Sequence, residues 1–299
     1  RAVHAATAQT LERLRAGALA GATRLDLSGG LAEFPREIFE LADSLEVLNL
    51  TGNALTDLPA DFARLRKLRI LFCSQNQFRH LPEVLGECPQ LDMVGFKSNR
   101  ISRVSAAALP PRLRWLILTD NEIAGFPDEL GRRPRLQKLM LAGNRLAALP
   151  ESMAACARLE LLRIASNNFD ALPGWLFDLP RLSWLAFAGN RVARESEERA
   201  VQAHPVPDIH WSELQLHEVL GQGASGVIHN ATLGKQGAVA VKLFKGHITS
   251  DGSPESEMDA CMAAGPHPSL IAVRGRVAGH PEGTPGLVLD LVDARFRNL

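Results

Sequence analysis

This 299-residue sequence contains no run of about 18 apolar residues, the length a helix needs to cross a bilayer, so no segment reads as a membrane span. It has no net charge, with 33 Lys and Arg against 33 Asp and Glu, which withholds the attraction expected of a nucleic-acid or acidic-membrane binder. There is no CxxC, no HExxH and no paired His/Cys spacing among four cysteines and nine scattered histidines, so no zinc site is indicated. No Ser, His and Asp arrangement suited to nucleophilic hydrolysis stands out. The opening residues Arg1-Ala2-Val3-His4 carry neither a Met nor the apolar core of a signal peptide, and the natural start is expected to lie upstream. What remains is a chain 46% hydrophobic, long enough for two ordinary domains or one array with a partner domain.

What the sequence has in quantity is leucine in register. Leu136-Gln137-Lys138-Leu139-Met140-Leu141-Ala142-Gly143-Asn144 is the cleanest of seven copies. Their Asn falls at Asn53, Asn76, Asn99, Asn121, Asn144, Asn167 and Asn190, in steps of 23, 23, 22, 23, 23 and 23 residues. An imperfect earlier copy, Leu25-Asp26-Leu27 with Gly30 in the Asn slot, starts the series. A fixed period in this range means a solenoid, and the L-x-x-L-x-L-x-x-N pattern resembles the leucine-rich repeat family.

Each L-x-L core reads as a short strand with inward leucines, as at Leu48 and Leu50 or Leu139 and Leu141, each worth about 1.5–3 kcal/mol on full burial. The Asn is expected to bond the backbone of the turn. The returning half carries Phe34-Pro35, Leu58-Pro59, Leu81-Pro82, Phe126-Pro127, Leu149-Pro150 and Leu172-Pro173, where proline should stop strand pairing. One repeat, Ile101 to Arg112, is a residue short, with Val104-Ser105 in place of Leu-Pro, and an irregularity is expected there. Cys73 takes an inward Leu slot, while Cys88 and Cys156 share a slot that Leu65 and Leu179 fill elsewhere. Three repeats apart is roughly 14 Å, beyond the roughly 7 Å a disulfide allows, so buried thiols and a reducing, cytoplasmic location are expected.

The outward strand positions define a concave face. The slot before the second Leu reads Val47, Ile70, Met93, Trp115, Lys138, Leu161 and Trp184; the next outward slot reads Asn49, Phe72, Gly95, Ile117, Met140, Arg163 and Ala186. A solvated face should be polar, yet Phe72, Met93, Trp115, Ile117 and Met140 predict a contiguous apolar patch, and such patches mark protein-binding surfaces. Lys138 and Arg163 read as rim residues. Before the array, Val3 to Ala20 reads as an amphipathic helix capping its open end. After it, Val192 to Ala203 reads as a closing helix and His204-Pro205-Val206-Pro207 as a stiff linker.

From Ile209 the periodicity changes to strand alternation. Gly221-Gln222-Gly223-Ala224-Ser225-Gly226-Val227 is followed by a strand to Thr232, a turn at Gly234-Lys235-Gln236-Gly237, and a second strand, Ala238-Val239-Ala240-Val241-Lys242-Leu243-Phe244. A dinucleotide-binding glycine loop would enter a helix instead. Glycine loop, hairpin and V-A-V-K, then a helix over Ser256 to Ala263, Gly265-Pro266-His267-Pro268 and the strand Leu287 to Val292, resemble the small lobe of a protein kinase. The resemblance, of the tyrosine-kinase-like, Ser/Thr-directed kind, implies ATP and magnesium as cofactors. It implies that amides around Gly221, Gly223 and Gly226 cover phosphates, that Val227 and Ala240 pack on adenine, and that Lys242 holds the α and β phosphates. Glu257 would orient Lys242, with Glu255 as the competing candidate; Leu289 would be the gatekeeper, with the backbone of Asp290 and Val292 meeting adenine.

The expected fold class is therefore α/β: a horseshoe-shaped leucine-rich-repeat solenoid followed by a truncated kinase domain, mainly β with one helix. The domains are a helical cap at 1–21, about eight repeats at 22–192, a cap helix and Pro-rich linker at 193–208, and the kinase small lobe at 209–299. Neither H-R-D-x-x-x-x-N nor D-F-G occurs, so no residue here is expected to supply the catalytic base or hold the metal, and the chain, ending at Arg297-Asn298-Leu299, reads as an inactive fragment of a kinase. The resemblance implies a protein substrate, and the apolar patch implies a protein partner on the concave face. The competing expectation is a non-catalytic interaction scaffold with a kinase-like lobe; a regulatory variant has the apolar patch dock the protein's own kinase domain.

Overall fold

The computed structural model describes residues 2–249 and 252–292, which form two compact units, Arg1–Phe187 and Ala188–Leu299. The chain end at residues 297–299, expected to fall in mid-domain, lies outside the described residues.

The first unit opens with α1 (Ala5–Arg15), shorter than the sequence suggests because Gly17 and Gly21 both turn left-handed after it. Its Leu11 and Leu14 are buried. Eight three-residue strands follow: β1 (Arg24–Asp26), β2 (Val47–Asn49), β3 (Ile70–Phe72), β4 (Met93–Gly95), β5 (Trp115–Ile117), β6 (Lys138–Met140), β7 (Leu161–Arg163) and β8 (Trp184–Ala186). They pair in parallel, in chain order and without slippage, so that Leu25, Leu48, Leu71, Val94, Leu116, Leu139, Leu162 and Leu185 form one row. Identical repeats leave one register that buries every inward side chain. The next inward row, Leu50, Cys73, Phe96, Leu118, Leu141 and Ile164, is fully buried.

The asparagines do more than close their own turns. Asn144 Nδ2 donates to the Leu141 carbonyl in its own repeat (3.0 Å) and to the Leu118 carbonyl of the preceding one (2.9 Å), while its Oδ1 accepts from Ile123 N (3.0 Å). Asn76 and Asn167 repeat this scheme, so the ladder stitches neighbouring repeats together. The residue before each Asn is left-handed: Gly52, Gly143 and Gly189 hold it without strain, whereas Gln75, Ser98, Asp120 and Ser166 adopt it at φ of 53–59°. The prolines have a role beyond interrupting strands. Pro35, Pro82, Pro127, Pro150 and Pro173 each precede a 3-10 turn, and the Pro150 carbonyl, for example, accepts from Met153 N (3.0 Å). The short repeat without Leu-Pro keeps a 3-10 turn, Ala106–Ala108, with the Ser105 carbonyl accepting from Ala108 N (3.1 Å), and adds a parallel bridge, His80 to Arg103. Cys73, Cys88 and Cys156 are buried thiols; burial pushes Cys88 up to about 12 and Cys156 up to about 11, so neither ionises near neutrality.

The second unit begins with α2 (Arg191–Ala203). This helix, expected to close the array, belongs to the second unit, where Val201 joins the apolar cluster beneath α3 (Pro254–Ala263). Its sheet has six strands: β9 (Asp208–His210), β10 (Leu214–Gln222), β11 (Gly226–Leu233), β12 (Gly237–Phe244), β13 (Val273–Ala278) and β14 (Gly286–Asp290), in the order β10-β11-β12-β14-β13-β9. The strand β9, which begins inside the predicted linker, pairs in parallel with β13. One face packs Ile209, Ala231, Val239, Val241, Val277 and Val288; the other packs Phe244 and Leu287 against Met258 and Met262 of α3. The helix starts two residues before its predicted position because Ser253 caps it, its hydroxyl accepting from Ser256 N (3.1 Å), with Pro254 in the first turn.

Candidate functional site

The concave strand face is the first candidate. Zero register shift sets Val47, Ile70, Met93, Trp115, Lys138, Leu161 and Trp184 side by side, with Phe72, Ile117, Met140 and Arg163 in the adjacent row. Most are half-buried. Met93 departs from the expected exposure: flanked by Ile70 and Trp115, it retains 9% accessibility. Phe72 leans over Gly95, where a Cβ would come within 2.7 Å of its ring, so the glycine makes room for the aromatic.

The expected contiguous apolar patch is in fact studded with cations. The Lys138 ammonium lies 4.0 Å from the Trp115 ring centroid and the Arg114 guanidinium 5.1 Å from it, both attracted by the ring face. The Trp115 indole N–H donates to Gln137 Oε1 (2.9 Å), which fixes the ring. Trp184, with Arg163 5.8 Å from its centroid, is the open aromatic, at 52% accessibility.

Sequence reasoning missed a second column, one residue before the first Leu of each repeat. It reads Arg112, Arg135, Arg158 and Arg181 in four successive repeats, and its only signal was that spacing. Together with Arg114, Gln137 and Glu160, Arg135, Arg158 and Arg181 line a cavity of about 290 Å³.

The second unit brings together the glycine loop, β12 and α3. The Lys242 ammonium pairs with Glu257 Oε1, which also accepts from the Ser225 hydroxyl (3.4 Å); Glu257, rather than Glu255, is the partner. The pair shares a face with Ala240, Leu287 and Leu289, because antiparallel partners project to the same side and Ala240 pairs with Leu289, Lys242 with Leu287. Val227 does not share it. Its partner is Leu243, on the opposite face, and Ile228, opposite Lys242, occupies the side assigned to Val227. The one-residue offset inverts the face because strand side chains alternate.

The three loop glycines differ. A Cβ at Gly226 would lie 2.4 Å from the Leu243 carbonyl, so packing against β12 requires that glycine. Among the described residues nothing lies within 4 Å of a Cβ at Gly221 or Gly223, so no packing among them requires those two. The loop is pinned by Gly223 N donating to the Gly226 carbonyl (3.0 Å) and by the Lys245 ammonium on the Gly223 carbonyl (2.9 Å). At the far edge the Asp290 N–H donates to the Ala272 carbonyl (2.9 Å) and its carboxylate pairs with Arg274, so that N–H is not available to a ligand. Val292 lies past the end of β14, exposed.

Comparison with known proteins bears on the first unit most directly. Residues 44–65 and 134–192 match family models described as leucine-rich repeat. The array is built of leucine-rich repeats. Similar proteins include the tyrosine-protein kinase receptor torso of Bombyx mori, 37% identical over 79 residues, which are 24% of this chain and 10% of that one. Others are the mouse leucine-rich repeat and calponin homology domain-containing protein 1, 29% identical over 105 residues (34% and 15%), and the human PH domain leucine-rich repeat-containing protein phosphatase 1, 30% identical over 92 residues (30% and 5%). The chain thus spans 15% or less of the length of these relatives. Among solved structures, a leucine-rich-repeat protein of Leptospira interrogans aligns with TM-score 0.48 at 22% identity, over 66% of this chain and 56% of that one. A plant peptide hormone receptor in complex with its RGF2 ligand aligns with TM-score 0.48 at 24% identity, over 59% and 34%.

Proposed function

We propose that this protein binds other proteins through the concave face of its leucine-rich-repeat array, and that its second unit is a nucleotide-binding lobe akin to the small lobe of protein kinases. The observation that carries the first part is the display of Trp115, Ile117, Met140, Leu161 and Trp184 in two aligned rows across β5 to β8, on unslipped parallel strands whose open aromatic, Trp184, is a natural anchor. Trp184 is exposed, so it is replaceable without unfolding the array. Dodecapeptides selected on the purified protein from a random phage-displayed library should lose about tenfold or more in affinity for Trp184→Glu, read by fluorescence anisotropy. Selected peptides that bind wild type and Trp184→Glu equally would place the binding surface elsewhere.

The second part rests on Lys242 paired with Glu257 beneath a loop whose Gly221 and Gly223 no packing among the described residues requires. That arrangement suits phosphates approaching backbone amides with an ammonium behind them. On the kinase resemblance, Ala240, Ile228 and Leu289 would line the base, and ATP with magnesium would be the cofactor. The motifs that hold magnesium and supply the base in that family do not occur in these 299 residues, so phosphate transfer is not proposed for them alone. Calorimetric titration of the protein with Mg-ATP should give binding that Lys242→Met weakens by about tenfold or more, the loss of a charge-assisted contact to phosphate. No heat of binding with wild type, or an undiminished affinity in Lys242→Met, would leave the lobe a scaffold.

A further inference from the structure

The column of arginines beside the concave face suggests the chemistry of what that face holds, an inference that rests on the protein-binding reading above. The whole chain is electrically neutral, yet the cavity between the fifth and eighth repeats is lined by four guanidinium groups and one carboxylate. The single carboxylate is already engaged, Glu160 Oε2 accepting from Gln137 Nε2 (2.9 Å). Arg114 is partly engaged as well, with Asp92 at 3.6 Å and Gln137 Oε1 at 3.2 Å. Arg135, Arg158 and Arg181 have no acidic partner among the described residues, and the Arg135 Nε is buried without an acceptor.

Elsewhere on the array, arginines meet acids across the same 23-residue step: Arg66 with Asp43, Arg69 with Glu46, Arg145 with Glu122. The column at 135, 158 and 181 lacks that pairing because each position repeats the same cation. Like charges stacked at one repeat spacing repel, and a ligand anion relieves that repulsion.

We propose that this column is a carboxylate-binding rim, and that the segment held on the concave face is an acidic peptide of the partner with carboxylates at alternate positions. Successive rungs lie about 4.8 Å apart, so three rungs span roughly 10 Å; side chains on one side of an extended peptide repeat at about 6.7 Å. Two alternate carboxylates therefore each sit between neighbouring guanidinium groups, which can take both oxygens. Rim and face are continuous, since Gln137 lines the cavity and also holds the Trp115 indole. Trp184, in the same repeat as Arg181, offers an apolar contact beside the carboxylates.

Arg158 and Arg181 are exposed, so reversing them preserves the fold, which a thermal melt verifies. The random dodecapeptide library is selected in parallel on wild type and on the Arg158→Glu/Arg181→Glu variant. The wild-type pool should be enriched in Asp and Glu at alternating positions, the variant pool should lose that enrichment, and individual wild-type clones should bind the variant about tenfold or more weaker, as loss of charge complementarity at a rim predicts. Changing their acids to amides should have the same effect. Trp184-dependent binders without acid enrichment would overturn the acidic-peptide proposal and leave the protein-binding reading standing. No binders, or binders indifferent to Trp184, would overturn both. A single-stranded oligonucleotide that binds as tightly as the selected peptides would also overturn it, by showing a general polyanion surface.

Discussion

Asn144→Ala is expected to destabilise the array by about 2–3 kcal/mol, because it orphans one buried backbone N–H, at about 1–3 kcal/mol, and removes one of two donors from each of two buried carbonyls. The orphan is Ile123 N–H; the carbonyls, Leu118 and Leu141 in adjacent repeats, keep Asn121 (3.0 Å) and Asn167 (2.9 Å) as donors. The side chain they surround is 7% accessible, so water cannot readily replace it. Asn53 makes equivalent bonds, to the Leu27 and Leu50 carbonyls at 2.9 Å each, but is only half-buried. Asn53→Ala should therefore cost less, about 1–2 kcal/mol, since solvent reaches the vacated groups. Guanidinium unfolding followed by circular dichroism reads both. Equal shifts, or a loss under about 1 kcal/mol at Asn144, would show that the ladder is decoration upon leucine packing.

Phe96→Ala should be more severe, at about 3–5 kcal/mol, through lost burial and the cavity that remains. Phe96 fills the slot that Leu50 and Leu118 fill in other repeats, is fully buried, and meets Phe78 edge-on at 4.9 Å between centroids. Its neighbour in the row is the small Cys73, so a large side chain here balances a small one there. Phe96→Leu, which keeps the repeat's usual residue, should cost clearly less, about 1–2 kcal/mol, because only part of the volume is lost. Similar losses for Leu and Ala would mean that the ring's edge contact, rather than its volume, carries the stability. Both comparisons are read on the same unfolding curves.

These two substitutions touch what was plainest in the residues. The period of 23, the inward leucines and the asparagines are visible because a solenoid repeats the same local chemistry in every turn. Hairpin and helix positions in the second unit were also legible, since alternation and glycine are local signals. The reading of the glycines went further than their spacing allowed: only the structure separates Gly226, which packing against β12 requires, from Gly221 and Gly223, which it does not. The choice of Glu257 over Glu255 depended on how α3 lies on β12, and the exchange of Val227 for Ile228 depended on one step of register.

The concave face shows the same division. Its outward residues were assigned from alternation alone, yet Met93 is buried by neighbours from other repeats, and cations lie over Trp115 and Trp184. The sequence by itself determined the repeat, the strands and the direction of each side chain, because these follow from dihedral preferences and burial within one turn. Only the tertiary structure decided which residues 23 apart become neighbours with unmatched charge, and that α2 belongs with the second unit. Coulombic and packing energies depend on distances across repeats, and those distances exist only once the coil has closed.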